Sequence, residues 1–240
     1  MASGPACEDW KAGTSPECET VIMSKWKTPA TDYPLSKKGT AELTRKNYAK
    51  GIYVMEGVRD TDFFCVEKPI PVTNLKIKNK VVMVDDPLHQ WGMEDLAKKA
   101  HGKVLVGGLG LGLVAHELAK NRKVSEIVVV EKNPDVLDLV TPLVPKRVKV
   151  RRGDIFERKY SESDGEYDTI ILDLWVKTGP KMGIAGGGET DLDDISSAYI
   201  WWKHRNPDAD IMIWGVNNPK INPAVTKKPC KALQMIKGIV

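Results

Sequence analysis

KVLVGGLGLGLVAHELAKNRKVSEIVVVE, residues 103–131, reads as strand, glycine loop, helix and strand, and it ends on an acid. Residues 104–106 are an all-apolar run of the kind shown by a strand buried on both faces. Gly107, Gly108, Gly110 and Gly112 follow directly. Lacking Cβ atoms, they let the chain turn sharply and let a ligand lie against bare backbone, while the next helix points its unpaired N–H groups at the same place. That helix is predicted over 111–121, with Leu113, Val114, Glu117 and Leu118 on a helical period. A second buried strand is predicted over 127–130, with Glu131 at its C-terminal end. The whole is a βαβ nucleotide-binding half, with an acid about 20 residues beyond the glycines where it can take ribose hydroxyls.

Two cofactor classes use such a unit, and glycine spacing separates them. The nicotinamide fingerprint G-x-G-x-x-G/A fits only in the register Gly110, Gly112, Ala115, which leaves Gly107 and Gly108 without a role. The register GLGLG at 108–112, directly after the strand, resembles the first motif of class I S-adenosylmethionine-dependent methyltransferases. That resemblance implies an α/β, Rossmann-like methyltransferase fold, a mostly parallel sheet with helices on both faces, and S-adenosylmethionine as cofactor. It places Gly107, Gly108, Leu109, Gly110 and Gly112 in the cofactor loop. The bland alternative, a turn that binds nothing, would give up backbone entropy at four glycines for little packing.

At 240 residues the chain has room for one domain of ordinary size plus an appendage, and 42% hydrophobic residues supply a substantial core. The longest apolar run, 104–115, is broken by glycines and too short to span a bilayer, so no membrane association is expected. MASGPACEDW has neither a basic n-region nor an apolar core, and a cytoplasmic location is the expectation. Cys7, Cys18, Cys65 and Cys230 lack CxxC spacing, which reads as free thiols rather than a zinc site or a disulfide framework, with a Cys7 to Cys18 bridge left open. No metal is expected. Net charge is +4, with basic clusters at 76–80 (KIKNK), 146–152 (KRVKVRR) and in the C-terminal tail, as nucleic-acid binders show. Val148 and Val150 alternate with charged neighbours, however, as in a strand with one wet face. A small-molecule acceptor is therefore expected over nucleic acid, and a homodimer is compatible with the composition.

In chain order, residues 1–50 have no sustained apolar period and read as a poorly structured tail, with a short exposed helix over 36–50. Residues 51–102 read as a small β element: GIYVMEGV, DFFCVEK and KVVMVDD, with turns at Arg59-Asp60 and Pro69-Ile70-Pro71. A linking helix is predicted over 91–100. Residues 103–216 form the cofactor domain and 217–240 a basic tail. A small β element, one helix and then the βαβ unit resemble the N-terminal layout of spermidine-synthase-like proteins. The stretch VMVDDPLHQWGMEDLAKKAHGKVLVGGLGLGLVAHEL is similar to that family's passage from hairpin to glycine loop, and VVVEKNPDVLDLV to its second motif. The similarity covers about residues 51–216.

Asn133-Pro134 starts a helix predicted to run to 140, with Pro in the first turn, where its missing N–H costs nothing. A third strand over 147–150 leads to Gly153, Asp154 and Ile155. An acid there can accept from an adenine amino group while Ile155 sandwiches the ring, and the family resemblance implies the same; the alternative is an Asp that caps a turn. Lys132, beside Glu131, joins the cofactor-binding set. YDTIIL at 167–172 is the fourth strand, and it brings Asp173 to the crevice where open α/β sheets bind ligands. Residues 176–191 read as a glycine-rich loop, either a lid or an insertion. An aromatic-rich helix over 194–203 reads as core packing, and a fifth strand is predicted over 211–216.

Methyl transfer from a sulfonium is an in-line displacement, so positioning does most of the work and one group removes a proton where the nucleophile carries one. Asp173 is the candidate for that catalytic group, or else it holds the methionine amine. The resemblance also implies a rival, aminopropyl transfer. That family's loop carries an acid, whereas Gly110 stands there in this chain. Its D-S-x-D-P run is replaced by DLWVK at 173–177, where Lys177 would repel a polyamine. A non-catalytic S-adenosylmethionine-binding regulatory protein is a third reading.

Overall fold

The structure, a computed structural model, describes residues 26–56, 61–66, 68–162, 167–174 and 189–214. It begins with a 3-10 turn, Pro29–Asp32, capped by the Thr28 hydroxyl. Then come β1 (Lys37–Lys38), β2 (Ala41–Tyr48), β3 (Gly51–Glu56), β4 (Thr61–Val66), β5 (Ile70–Ile77), β6 (Lys80–Val84) and α1 (Pro87–Lys99). β1, β2, β5 and β6 form an antiparallel sheet in that order, and β3 and β4 form a hairpin.

Residues 36–50, expected to hold a helix within a poorly structured tail, instead carry the strands β1 and β2. Ala41 and Leu43 are buried between wetter neighbours, and all eight residues of β2 pair with β5, from Ala41↔Ile77 to Tyr48↔Ile70. The Lys, Glu and Ala content favours helix only by tenths of a kcal/mol per residue, which pairing and burial outweigh. The tail reading thus fails for residues 26–50, and residues 1–25 lie outside the described residues.

β5 falls where a turn was expected, because prolines flank its start. Thr73 points its N–H away from β2, to Asp85. Pro71, two residues earlier, has the same orientation, and β6 pairs with β5 only from Asn74 onward. The missing donor therefore falls where no ladder partner stands. Lys78 and Asn79, with φ of 49° and 65°, form the two-residue tip of the β5–β6 hairpin, so the KIKNK cluster is a hairpin end.

The second half runs β7 (Gly102–Gly107), α2 (Leu113–Lys120), β8 (Val124–Glu131), α3 (Pro134–Val140), β9 (Val148–Arg152), α4 (Arg158–Glu162), β10 (Thr169–Leu172), α5 (Glu189–Arg205) and β11 (Asp210–Ile213). All five strands are parallel, in the order β11-β10-β7-β8-β9. This is the Rossmann-like α/β fold expected from the sequence, with an additional antiparallel sheet before it. From β7 the chain winds outward to β9 and then returns to β10 on the other side, so the topological switch point lies between β7 and β10.

Alternate residues of the central strands serve two cores. Val104, Val106, Ile127 and Val129 face α1, α2 and α3, and Leu43, Leu75 and Met83 of the N-terminal sheet join that same core. Leu105, Val128, Val130, Ile170 and Leu172 face the opposite core, with Trp202 of α5. Each such side chain contributes about 1.5–3 kcal/mol by leaving water. Trp202 is fully buried, in line with the core reading of the aromatic helix, while Tyr199 is exposed. α5 also starts earlier than expected. Residues 176–188 and 217–240 lie outside the described residues. Among the described residues no helix is long and apolar enough to cross a membrane.

Candidate functional site at the switch point

The glycine loop leaves β7 between the ends of two neighbours. Gly107 O accepts from Asp173 N at 2.9 Å, and Gly108 N donates to Val130 O at 2.9 Å. Gly108 has φ +93°, and a Cβ there would collide with the Asp173 carbonyl oxygen. Two causes, conformation and close approach, thus require glycine. Gly110, with φ +51°, faces Met83 Sδ, which occupies the place of a Cβ. The sequence reading places a ligand's path at this glycine.

Met83 comes from β6 and packs against the loop just before α2. Leu111 N points to its Sδ at 3.1 Å, and Gly112 N donates to Leu109 O at 2.7 Å. From the same side the Tyr33 hydroxyl donates to Leu111 O at 3.2 Å and lies 2.8 Å from His116 Nε2. Leu111, Leu113, Val114 and Ala115 are all buried. The amides that would cradle a phosphate at a helix N-terminus are covered by protein here.

Glu131, at the end of β8, accepts from Leu109 N at 2.9 Å through Oε2 and from Asn133 N at 2.7 Å through Oε1. It is half-buried, and each oxygen retains a further lone pair. Asp154 does two local tasks: Oδ1 accepts from Phe156 N at 3.1 Å, and Oδ2 pairs with the exposed Lys132 at 2.8 Å. Lys132 holds the Asp154 carboxyl below its ordinary range. Ile155 is buried, its Cδ1 2.9 Å from where a Gly107 Cβ would stand. Asp173 follows β10, and its carboxylate accepts no hydrogen bond from the described residues. Burial pushes it up to about 6, countered by His89 and assisted by Glu131.

The helix expected over 91–100 begins at Pro87, one turn early, and this brings in residues the sequence reading missed. Asp86 caps α1, its Oδ1 accepting from His89 N at 3.1 Å and lying 3.0 Å from His89 Nδ1. The His89 ring stacks on Trp214, with centroids 4.9 Å apart and an interplanar angle of 13°. Trp214 N in turn donates to Leu172 O at 3.1 Å, so the ring lies over the ends of β10 and β11. Burial lowers the His89 pKa, but the carboxylates of Asp86, Asp173 and Asp85 raise it, and the net direction is up. Asp85 is fully buried and structural: it accepts from the Thr28 hydroxyl and from Thr73 N.

No family model and no curated protein matches the chain. Among solved structures it is similar to precorrin 8W decarboxylase of Methanobacterium thermoautotrophicum, with 17% identity and a TM-score of 0.36 over 52% of this chain and 60% of that one. It is also similar to a spermidine synthase in complex with the transition state analogue AdoDATO, with 13% identity and a TM-score of 0.34 over 53% of this chain and 56% of that one. For the spermidine synthase from Thermotoga maritima the values are 14% and 0.33, over 53% and 56%. The chain spans less than two thirds of the length of each.

The sequence-derived residues therefore separate into three groups. Gly107, Gly108, Leu109, Glu131 and Asp173 meet around the switch point, linked by two hydrogen bonds, Asp173 N to Gly107 O and Leu109 N to Glu131 Oε2. Lys132 and Asp154 lie beyond β8, where their side chains pair with each other, and the buried Ile155 beside them reaches back to Gly107. Gly110 and Gly112 face protein, Met83 and Val144. Among the described residues no group of three His, Cys, Asp or Glu side chains could hold a metal ion.

Proposed function

We propose that the protein binds S-adenosylmethionine at the β7–β10 switch point and transfers its methyl group to a small-molecule acceptor. The observation that carries this reading is the burial of the first turn of α2, Leu113, Val114 and Ala115, with Met83 and Tyr33 packed on the preceding Leu111. A dinucleotide needs open amides there for its diphosphate. S-adenosylmethionine has no diphosphate, and its hydroxyls and ammonium call instead for carboxylates on either side of bare backbone. The residues present fit those needs. Glu131 takes the two ribose hydroxyls with the lone pairs left over from Leu109 and Asn133. Gly107, Gly108 and Leu109 supply the bare backbone, Asp154 takes the adenine amino group with Ile155 against the ring, and Lys132 flanks them. Asp173 faces the reactive end. When bound, the cofactor supplies a methyl carbon on a good leaving group, which leaves the chain to orient the acceptor and manage its proton.

Calorimetric titration with S-adenosylmethionine, S-adenosylhomocysteine, decarboxylated S-adenosylmethionine and NAD tests the reading. The two carboxylate-bearing sulfur ligands are expected to bind tightest. Tighter binding of NAD overturns the cofactor, and tighter binding of the decarboxylated form assigns aminopropyl transfer instead. Incubation of methyl-labelled cofactor with cell extract is expected to yield a labelled small molecule; binding without any labelled product makes the protein a non-catalytic binder.

A further inference from the structure

We propose that His89, held by Asp86, takes the proton from the acceptor, and that Asp173 instead anchors the positive charge of the ligand's ammonium. This rests on the S-adenosylmethionine reading above and deepens it. A carboxylate only accepts hydrogen bonds, so the 3.0 Å contact between Asp86 Oδ1 and His89 Nδ1 places the proton of the neutral ring on Nδ1. Nε2 is then the free base, and it has no hydrogen-bond partner among the described residues. The ring plane is fixed twice, by that bond and by the Trp214 face at 4.9 Å. Because Trp214 follows β11 and is tied to Leu172 O, the ring stands at the C-terminal edge of the sheet, beside Asp173.

A general base needs a second group that orients it. His89 has one in Asp86; Asp173 has none among the described residues. Among the described residues the ionisable groups that face His89 are Asp86 and Asp85 at the start of its own helix and Asp173 from β10. All are acids, so the imidazolium that forms is stabilised from two elements. In the transfer, the acceptor's lone pair forms the bond to the methyl carbon, the carbon–sulfur pair stays on sulfur, and the acceptor's proton passes to Nε2. The positive charge of the sulfonium is exchanged for that of the imidazolium.

The test uses the full chain and needs no acceptor. Imidazole NMR of the four histidines is recorded against pH for the free protein and for its complexes with S-adenosylhomocysteine and S-adenosylmethionine. His89→Gln identifies the resonance; substitution of His101, His116 and His204 identifies it by elimination if that variant does not fold. The Nδ1–H tautomer is expected, and Asp86→Asn is expected to abolish it. The two ligands differ in charge only at sulfur. The His89 pKa in the S-adenosylmethionine complex is therefore expected to lie below that in the other by on the order of one pH unit, the effect of a unit charge a few ångströms away. Coincident titration curves with both ligands bound, or an Nε2–H tautomer, overturn the proposal and leave the cofactor reading standing. If calorimetry finds neither ligand bound, the cofactor reading fails and this proposal falls with it.

Discussion

The backbone N–H of Leu109 donates to Glu131 Oε2 over 2.9 Å, so the turn after β7 and the acid at the end of β8 form one unit. The other oxygen of the same carboxylate holds Asn133 N, at the cap of α3. A single side chain thus fixes both the loop against which a ligand would lie and the entry to the next helix.

Glu131→Ala is therefore expected to act on binding and stability together. Affinity for S-adenosylmethionine should fall by about 1.5–3 kcal/mol, the range for hydrogen bonds to a charged group, and the two amides left unpaired should lower the melting temperature. Glu131→Gln keeps the shape and one acceptor and should lose less of both. Calorimetry and thermal melting on the two variants check this. Unchanged affinity in the Ala variant removes Glu131 from the ribose role.

Gly110 faces Met83 Sδ, and that contact predicts coupling between the glycine loop and the N-terminal sheet. Gly110→Ala forces a side chain into a left-handed backbone and against the sulfur, and Met83→Ala alone leaves a cavity costing about 2–5 kcal/mol. Combined, the two changes relieve each other in part. The double variant should be more stable than the sum of the singles by about 0.5–3 kcal/mol, measured by denaturant unfolding. Strict additivity would mean that Met83 does not meet the loop in solution.

Much of the fold was legible because buried parallel strands leave continuous apolar runs, as 104–106 and 127–130 do, and because the acids at their ends mark the sheet edge. β2 was not legible, since its pairing partner β5 lies nearly thirty residues away and was itself hidden behind Pro71. His89 was missed for a local reason: Asp86 followed by Pro87 is a cap and first-turn signature, and it sets the helix start one turn before Trp91. Met83 and Tyr33 carry no sequence signal for their roles. Their contacts with Leu111 exist only once the two sheets pack on one core.

Tyr33 is expected to fasten the N-terminal segment to that loop. Tyr33→Phe loses the hydroxyl contacts to Leu111 O and His116 Nε2 while keeping the buried ring. The cost should be about 0.5–1.5 kcal/mol for each net hydrogen bond, or a melting temperature lower by about 2–4 °C per kcal/mol. Cofactor affinity should be nearly kept, because no ligand atom is assigned to that side of α2. A large loss of affinity without a loss of stability would place Tyr33 in the site itself.

Asp173 is expected to be a burden on the folded state at high pH. Its carboxyl, ordinarily near 3.8, is pushed up to about 6, chiefly by burial. Between those values the folded chain holds more protons than the unfolded one, so the stability this group contributes is present in full below the unfolded value and is lost as pH rises through 6. The full penalty at pH 8 is on the order of 3 kcal/mol. Asp173→Asn cannot ionise and should be more stable than the native chain at about pH 8, by on the order of 1–3 kcal/mol. Near pH 4 the two should melt alike. An Asp that merely caps a turn predicts the reverse sign, a loss of about 1 kcal/mol at neutral pH. Ligand measurements on the same variant then separate the chemical roles. An anchor for the ammonium loses affinity for S-adenosylmethionine and keeps its rate at saturation, as expected if His89 is the base. A general base keeps affinity and loses about 10²–10⁴ in rate. Unchanged affinity and rate, with the stability gain intact, would leave Asp173 as a half-buried acid with no part in the site.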